Sequence, residues 1–179
     1  PKVKPSLRYS YRLVLGPEYF AAAGFLSTIP ESEISSLNAG IFLDMLGNNE
    51  RLGYQSSFQG DSLLDRIVKN IFNHHVENHI TRPYRGLWGN DETFYNGPGF
   101  LIPTMGIGGG HHPEYHFDKD NLDMVNMHQL EGSLILLEKI IELLETDFVP
   151  VRMFRGPIYQ SRYGIYVDPK IDPNGYRNI

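Results

Sequence analysis

Two stretches of this chain carry apolar residues at helical spacing, and shorter runs with strand-like patterning alternate with them. That alternation constrains the fold more than any other feature. Leu63, Leu64, Ile67, Val68, Ile71 and Phe72 recur on one face of a helix that opens at Asp61, a good N-cap, and runs to about His79. The longest helix is predicted over Met127 to Thr146, with Leu130, Leu134, Leu137, Ile140, Ile141 and Leu144 as its inner face. Strands are predicted over Tyr9 to Leu15, Asn38 to Leu46, Phe100 to Ile107 and, more briefly, Tyr54 to Phe58. Glu18 to Ser27 reads as a helix between the first two strands, and Tyr84 to Pro98 as a loop punctuated by Gly86, Gly89 and Gly97. Such alternation predicts an α/β fold, a three-layer sandwich with a mixed, mostly parallel central sheet flanked by helices. The pattern sets residues 1–150 as one domain. Residues 151–179, rich in proline and glycine, read as a surface-wrapping tail or a link to a further module.

A chain of 179 residues buries roughly two-thirds of its unfolded surface and needs no staples. It has no cysteine, which excludes thiol catalysis, cysteine zinc knuckles and disulfides, and fits a cytoplasmic protein. A net charge of -5 without clustered Lys or Arg argues against nucleic acid. Charge interrupts every apolar run, so no membrane span is predicted. Pro1 to Pro5 lacks the apolar core of a signal peptide. A strand-like run follows almost at once, as though the chain began inside a larger domain.

In α/β folds functional groups gather at the carboxyl ends of strands. Glu18 follows the first predicted strand, Asp44 ends the second, and the segment Gly108 to His116 follows the fourth. Asp44 lies within an apolar run, where a carboxylate is costly unless paired, metal-bound or turned to solvent. Glu18 is also explained as a carboxylate at a helix start. His116 is either a solvent-facing loop residue or a metal ligand whose ring is oriented by the nearby Asp120. Adjacent His111 and His112 point to opposite sides in extended backbone. His75 and His79 share a face if the helix reaches them, though no third ligand accompanies them.

Several segments resemble, in order, the dinuclear zinc aminopeptidases, the group of bacterial leucyl aminopeptidase, glutamate carboxypeptidase and the glutaminyl cyclases. "YRLVLGPEYF" resembles their strand and acidic turn, and "IFLDMLGN" their segment NLDMIG. "GNDETFY" sits where they have a serine-aspartate loop, and "PEYHFDKDNLD" is similar to their last ligand segment. The segments "YSYRLVLGPEY", "GNDETFY", "PEYHFDKDNLD" and "YGIYVDP" are closer still to an uncharacterised bacterial aminopeptidase-like family found near polysaccharide-biosynthesis genes.

The resemblance implies that Glu18 and His116 bind one zinc ion and Asp44 a second. It implies that Asp120 orients His116, that Glu18 also serves as catalytic base, and that Asp91, Tyr95 and Tyr115 line the substrate pocket. The implied activity is hydrolysis of a small peptide or amide by a metal-activated water. The chain departs from the pattern in having Pro17-Glu18 where the family has two glutamates. It also has no segment like the family's first histidine and bridging aspartate. The implied reading is therefore the C-terminal part of such a domain, completed by a missing N-terminal half or a partner chain, with a homo-oligomer also open. The alternative is a non-catalytic relic of the fold acting as a binding or assembly module. A glutaminyl-cyclase-like transferase, with a different ligand set, is a third reading.

Overall fold

The computed structural model describes residues 7–86 and 89–148, together with Val151, Met153, Arg162 and Lys170. The predicted tail, including the "YGIYVDP" segment, lies essentially outside the described residues. Compactness divides the chain into Pro1–Asp147 and Phe148–Ile179, and the α-helices and strands of the described residues all lie in the first unit.

The elements run α1 (Phe20–Thr28), α2 (Glu31–Ile34), β1 (Gly40–Asp44), β2 (Gly53–Gln55), α3 (Leu63–His75), β3 (Ile80–Arg82), α4 (Glu92–Asn96), β4 (Thr104–Gly108) and α5 (Met127–Thr146). A short 3-10 turn, Leu122–Met124, precedes α5. The sheet order is β1-β4-β2-β3, with β1/β4 and β2/β3 parallel and β2/β4 antiparallel. The sheet is thus mixed and mostly parallel, as the sequence predicts.

Strand alternation divides the core. Met105, Ile107 and Tyr54 turn to one face and pack with Leu64, Ile67, Val68, Ile71 and Phe72 of α3 and Leu136 and Ile140 of α5. Gln55, on the opposite face, bonds Glu92 of α4, which lies there beside α1. The chain therefore builds helices on both faces of the sheet.

Local chemistry corrects several predicted boundaries. The N-cap of α3 is Ser62, not Asp61: Ser62 and Asp65 form a reciprocal capping box. The helix ends at His75, because Val76 turns extended to lead into β3, a strand the sequence pattern does not reveal. His79 consequently leaves the helix and packs its ring against Tyr54 and Phe72, so His75 and His79 share no helical face. The predicted loop at Tyr84 to Pro98 contains α4. Its last residue, Asn96, bonds the carbonyls of Glu92 and Thr104 and the amides of Phe58 and Thr104. That bonding turns the chain before β4, which begins at Thr104 rather than Phe100.

Residues 10–15 take no regular secondary structure, so the predicted strand at Tyr9 to Leu15 is not formed. The amides of Arg8 and Tyr9 and the Tyr11 hydroxyl all donate to the Glu145 carboxylate near the end of α5. Leu13 and Leu15 are exposed. Helix α5 has the predicted span, with Asn126 as N-cap. Its buried face is Ser133, Leu136 and Ile140, while Leu134 is 58% exposed. The inner face is therefore rotated from the predicted one, because Ser133 Oγ donates to the Leu46 carbonyl and draws that side inward.

Candidate functional site

The site is built where β1 and β4 end side by side. Asp44 pairs with Gly108 as the last step of the parallel ladder. A Cβ on Gly108 would stand 2.3 Å from the Asp44 carbonyl oxygen, and one on Gly109 would stand 2.6 Å from the Met45 carbonyl oxygen. The glycine run is thus more than a turn: it lets the histidine loop lie directly against the Asp44 backbone.

Asp44 is half-buried, and burial pushes its carboxyl above the ordinary aspartate range. A hydrogen bond from the Met45 amide pulls the other way, Glu18 adds to the rise, and His111 opposes it. Glu18 is exposed, and its Oε1 accepts a hydrogen bond of 2.6 Å from Asn90 Nδ2. The next residue, Tyr19, donates its amide to Asp91 Oδ1 at 2.5 Å and its hydroxyl to the Gly89 carbonyl at 2.9 Å. Two turns that are far apart in sequence, Pro17-Glu18-Tyr19 and Gly89-Asn90-Asp91, therefore form one unit.

After Gly110 the chain carries a stack of three rings. His111 lies flat on Tyr115 at 4.2 Å between ring centroids, and Tyr115 on His116 at 3.9 Å. The Tyr115 hydroxyl is pushed up by burial and then by the charges of Asp44, Glu18, Tyr19 and Asp120. Tyr115, Asp44 and Glu18 thus share one electrostatic neighbourhood. His112 turns the opposite way from exposed His111 and is buried, as adjacent positions in extended backbone require.

Asp120 does not reach His116: its Oδ1 lies 3.2 Å from Nε2 of His112. His116 instead stacks on Tyr115, because its backbone sits at φ 66° and turns the ring back over the loop. Tyr95 packs its ring 6.5 Å from Phe25 of α1. A cavity of about 40 Å³ opens beside Asp44, lined also by Arg51, Gln55, Arg82 and Glu92. Asp91, Tyr95 and Tyr115 are not part of its wall.

Sequence reasoning missed Asn90, which holds Glu18, and Glu92. The Glu92 carboxylate is 2% exposed and is pushed up by burial, against hydrogen bonds from the Asn90 amide and Gln55 Nε2. Both residues lie inside the segment GNDETFY, but no periodicity marks a five-residue helix.

Three of the non-glycine residues with positive φ fall at the predicted site: Tyr19 after Glu18, Met45 after Asp44, and His116 itself. Such backbone costs of order 1 kcal/mol or more per residue, and it clusters at functional sites. Among the described residues, however, no three His, Asp or Glu side chains converge closely enough to hold a metal ion. Glu18, Asp44 and His116 alone do not fit a dinuclear zinc site, so no hydrolytic step is assigned through such ions in this chain.

This fold is peptidase-like. It matches a Clostridium acetobutylicum protein provisionally described as a peptidase, at 22% identity and TM-score 0.67, over 73% of this chain and 31% of that one. It also matches an aminopeptidase from Aneurinibacillus sp. strain AM-1 at 17% identity and TM-score 0.57, over 78% and 33% of the two chains. A third match is a zinc aminopeptidase from Bacillus subtilis, at 13% identity and TM-score 0.59, over 75% and 35%. The chain spans about a third of the length of each of these structures. Residues 2–147 match the family described as "Domain of unknown function (DUF4910)", and the chain belongs to that family. No curated protein matches it.

Proposed function

We propose that this chain is part of a zinc-dependent, aminopeptidase-like hydrolase acting on a small peptide or amide substrate. The observation that carries the reading is that the charge of Glu18 reaches half-buried Asp44 at the carboxyl end of β1. Each is followed by a non-glycine residue in left-handed backbone. Burial outweighs the opposing effect of His111 and makes the ionised form of Asp44 costly, and a divalent cation would offset that cost. In this reading Glu18, Asp44 and His116 are metal ligands, and Glu18 is also the catalytic base. Asp91, Tyr95 and Tyr115 flank the substrate. The remaining ligands come from outside this chain, from an N-terminal half of the domain or from a partner chain. Only with those further ligands in place would a metal be held, and the chemistry it would supply is a bound water of lowered pKa. The cysteine-free composition suits a cytoplasmic setting.

A second reading is a non-catalytic relic of the fold that serves as a binding or assembly module. It is favoured by the lack of three convergent donors among the described residues. Zinc content and hydrolysis of an amino-acid arylamide, measured on the intact protein with Glu18→Gln and His116→Ala as controls, separate the two. The hydrolase reading expects near-stoichiometric zinc and activity that both substitutions lower. Zinc-free intact protein would establish the relic. Zinc binding that neither substitution alters would remove these residues from the site.

A further inference from the structure

We infer that His112 is a positioning residue, whose contact with Asp120 clasps residues 112–120 into a closed loop that presents His116. The His112 side chain is 5% exposed, against 38% for Asp120. Each of its ring nitrogens has a polar atom close by. Nδ1 lies 3.3 Å from Asn48 Nδ2, and Nε2 lies 3.2 Å from Asp120 Oδ1. An amide nitrogen only donates, so Nδ1 accepts and the proton of the neutral ring resides on Nε2, the nitrogen nearer Asp120. Nε2 has no hydrogen-bond partner, so the approach of Asp120 is a close polar contact and not a hydrogen bond. Asn48 is held in turn, donating to the Gly110 carbonyl at 2.7 Å and accepting from the Glu50 amide at 3.2 Å. The clasp is therefore anchored to the segment that leaves β1.

Between its two ends the loop is a chain of tight turns. The amide of Tyr115 donates to the His112 carbonyl, Phe117 to Glu114, and Asp120 to Phe117. His116 stands midway, at φ 66°. A non-glycine residue keeps left-handed backbone only where its surroundings over-determine it. Tying residue 112 to residue 120 closes the loop on both sides of His116 and supplies that constraint. An imidazole buried for packing alone would have no polar atom near either nitrogen, whereas here Nδ1 meets Asn48 and Nε2 lies 3.2 Å from the Asp120 carboxylate.

The clasp stands on this geometry; only the role of His116 as a ligand rests on the hydrolase reading. The test is amide hydrogen exchange over residues 113–119 in the metal-free chain, comparing His112→Ala, Asp120→Ala, the double variant, His112→Phe and Asp120→Asn. His112→Ala and Asp120→Ala should each speed exchange about tenfold, and the double variant no more than the larger single effect. His112→Phe keeps the ring volume and should loosen the loop equally. Asp120→Asn keeps an acceptor oxygen and should recover most of the protection. Unchanged exchange, additive effects, or full protection in His112→Phe overturns the clasp. If His112→Ala does not fold, Asp120→Ala against Asp120→Asn decides alone, because Asp120 lies at the surface. Titration with zinc chloride then addresses the ligand role. Intact protein that binds zinc, and binds it more weakly as Asp120→Ala, supports the coupling. Absence of zinc binding in every form defeats the hydrolase reading and leaves the exchange result standing.

Discussion

The amide of Tyr19 donates to Asp91 Oδ1 at 2.5 Å, and this bond holds Tyr19 at φ 63°, ψ -43° at the mouth of α1. The residue next to Glu18 is thus strained by a side chain far along the sequence. Removing the anchor and relieving the strain should therefore differ in cost. Asp91→Ala should destabilise the protein by about 1–2 kcal/mol in urea unfolding, since it strands a donor. Tyr19→Gly removes the Cβ penalty but also the hydroxyl bond to Gly89, so it should cost less than Asp91→Ala. A Tyr19→Gly loss larger than that of Asp91→Ala would mean that the Tyr19 side chain, packed against Phe94 and bonded to Gly89, outweighs the relief of backbone strain.

Gly108 tests the close approach of the histidine loop. A methyl at this position would stand 2.3 Å from a carbonyl oxygen of the neighbouring strand, and backbone on both sides cannot give way cheaply. Gly108→Ala should therefore cost about 3 kcal/mol or more, comparable to severe overpacking. Gly132→Ala is the control, because nothing lies within 4 Å of a Cβ there and helix propensity improves. Thermal melts should show a large fall for the first and none for the second.

The chain shows which kinds of order a sequence carries openly. Helix α5 is legible to the residue, because twenty positions repeat one period and Asn126 caps them. Asp44 at the end of β1 is legible as a carboxylate in an apolar run. Strand β3 is not, since Ile80–Arg82 is three residues long and owes its place to pairing with β2. Tyr9 to Leu15 carries strand chemistry, but the Tyr9 amide and the Tyr11 hydroxyl, with the Arg8 amide before them, are taken by a single carboxylate, Glu145, which no local pattern announces. Spacing suggests Asp120 for His116, whereas the turns within the loop bring it to His112. Long-range pairings of this kind are set by tertiary geometry, and the sequence carries no period that encodes them.

Glu92 should leave a signature in the pH dependence of stability. Burial raises its carboxyl above the ordinary value of 4.5, so the folded state holds a proton that the unfolded chain releases. Its contribution is fully present below the unfolded pKa and is lost as pH rises through the folded value. Glu92→Gln cannot ionise, so the wild type should lose stability relative to it between acid and neutral pH. The constant cost of placing an amide beside the Asn90 N–H cancels in that difference. Parallel urea-unfolding profiles for the two proteins would show that Glu92 is not raised.

Asp65 carries the heaviest local load in the described core. It is 3% exposed, yet its two oxygens accept from the amide and hydroxyl of Ser57 and from the amide and hydroxyl of Ser62. One carboxylate thus caps α3 and also fixes the turn leaving β2, so helix and sheet are joined through it. Ser62→Ala loses the cap but leaves Asp65 bonded to Ser57 and should cost about 1 kcal/mol. Asp65→Ala strands buried donors on both segments and should cost about 3 kcal/mol or more. Asp65→Asn keeps the size but cannot accept from all four donors, and it should fall between the two. Chemical denaturation of the three variants gives the order directly. An Asp65→Ala loss no larger than that of Ser62→Ala would show that the helix cap alone accounts for the residue, and that the link to the sheet contributes nothing.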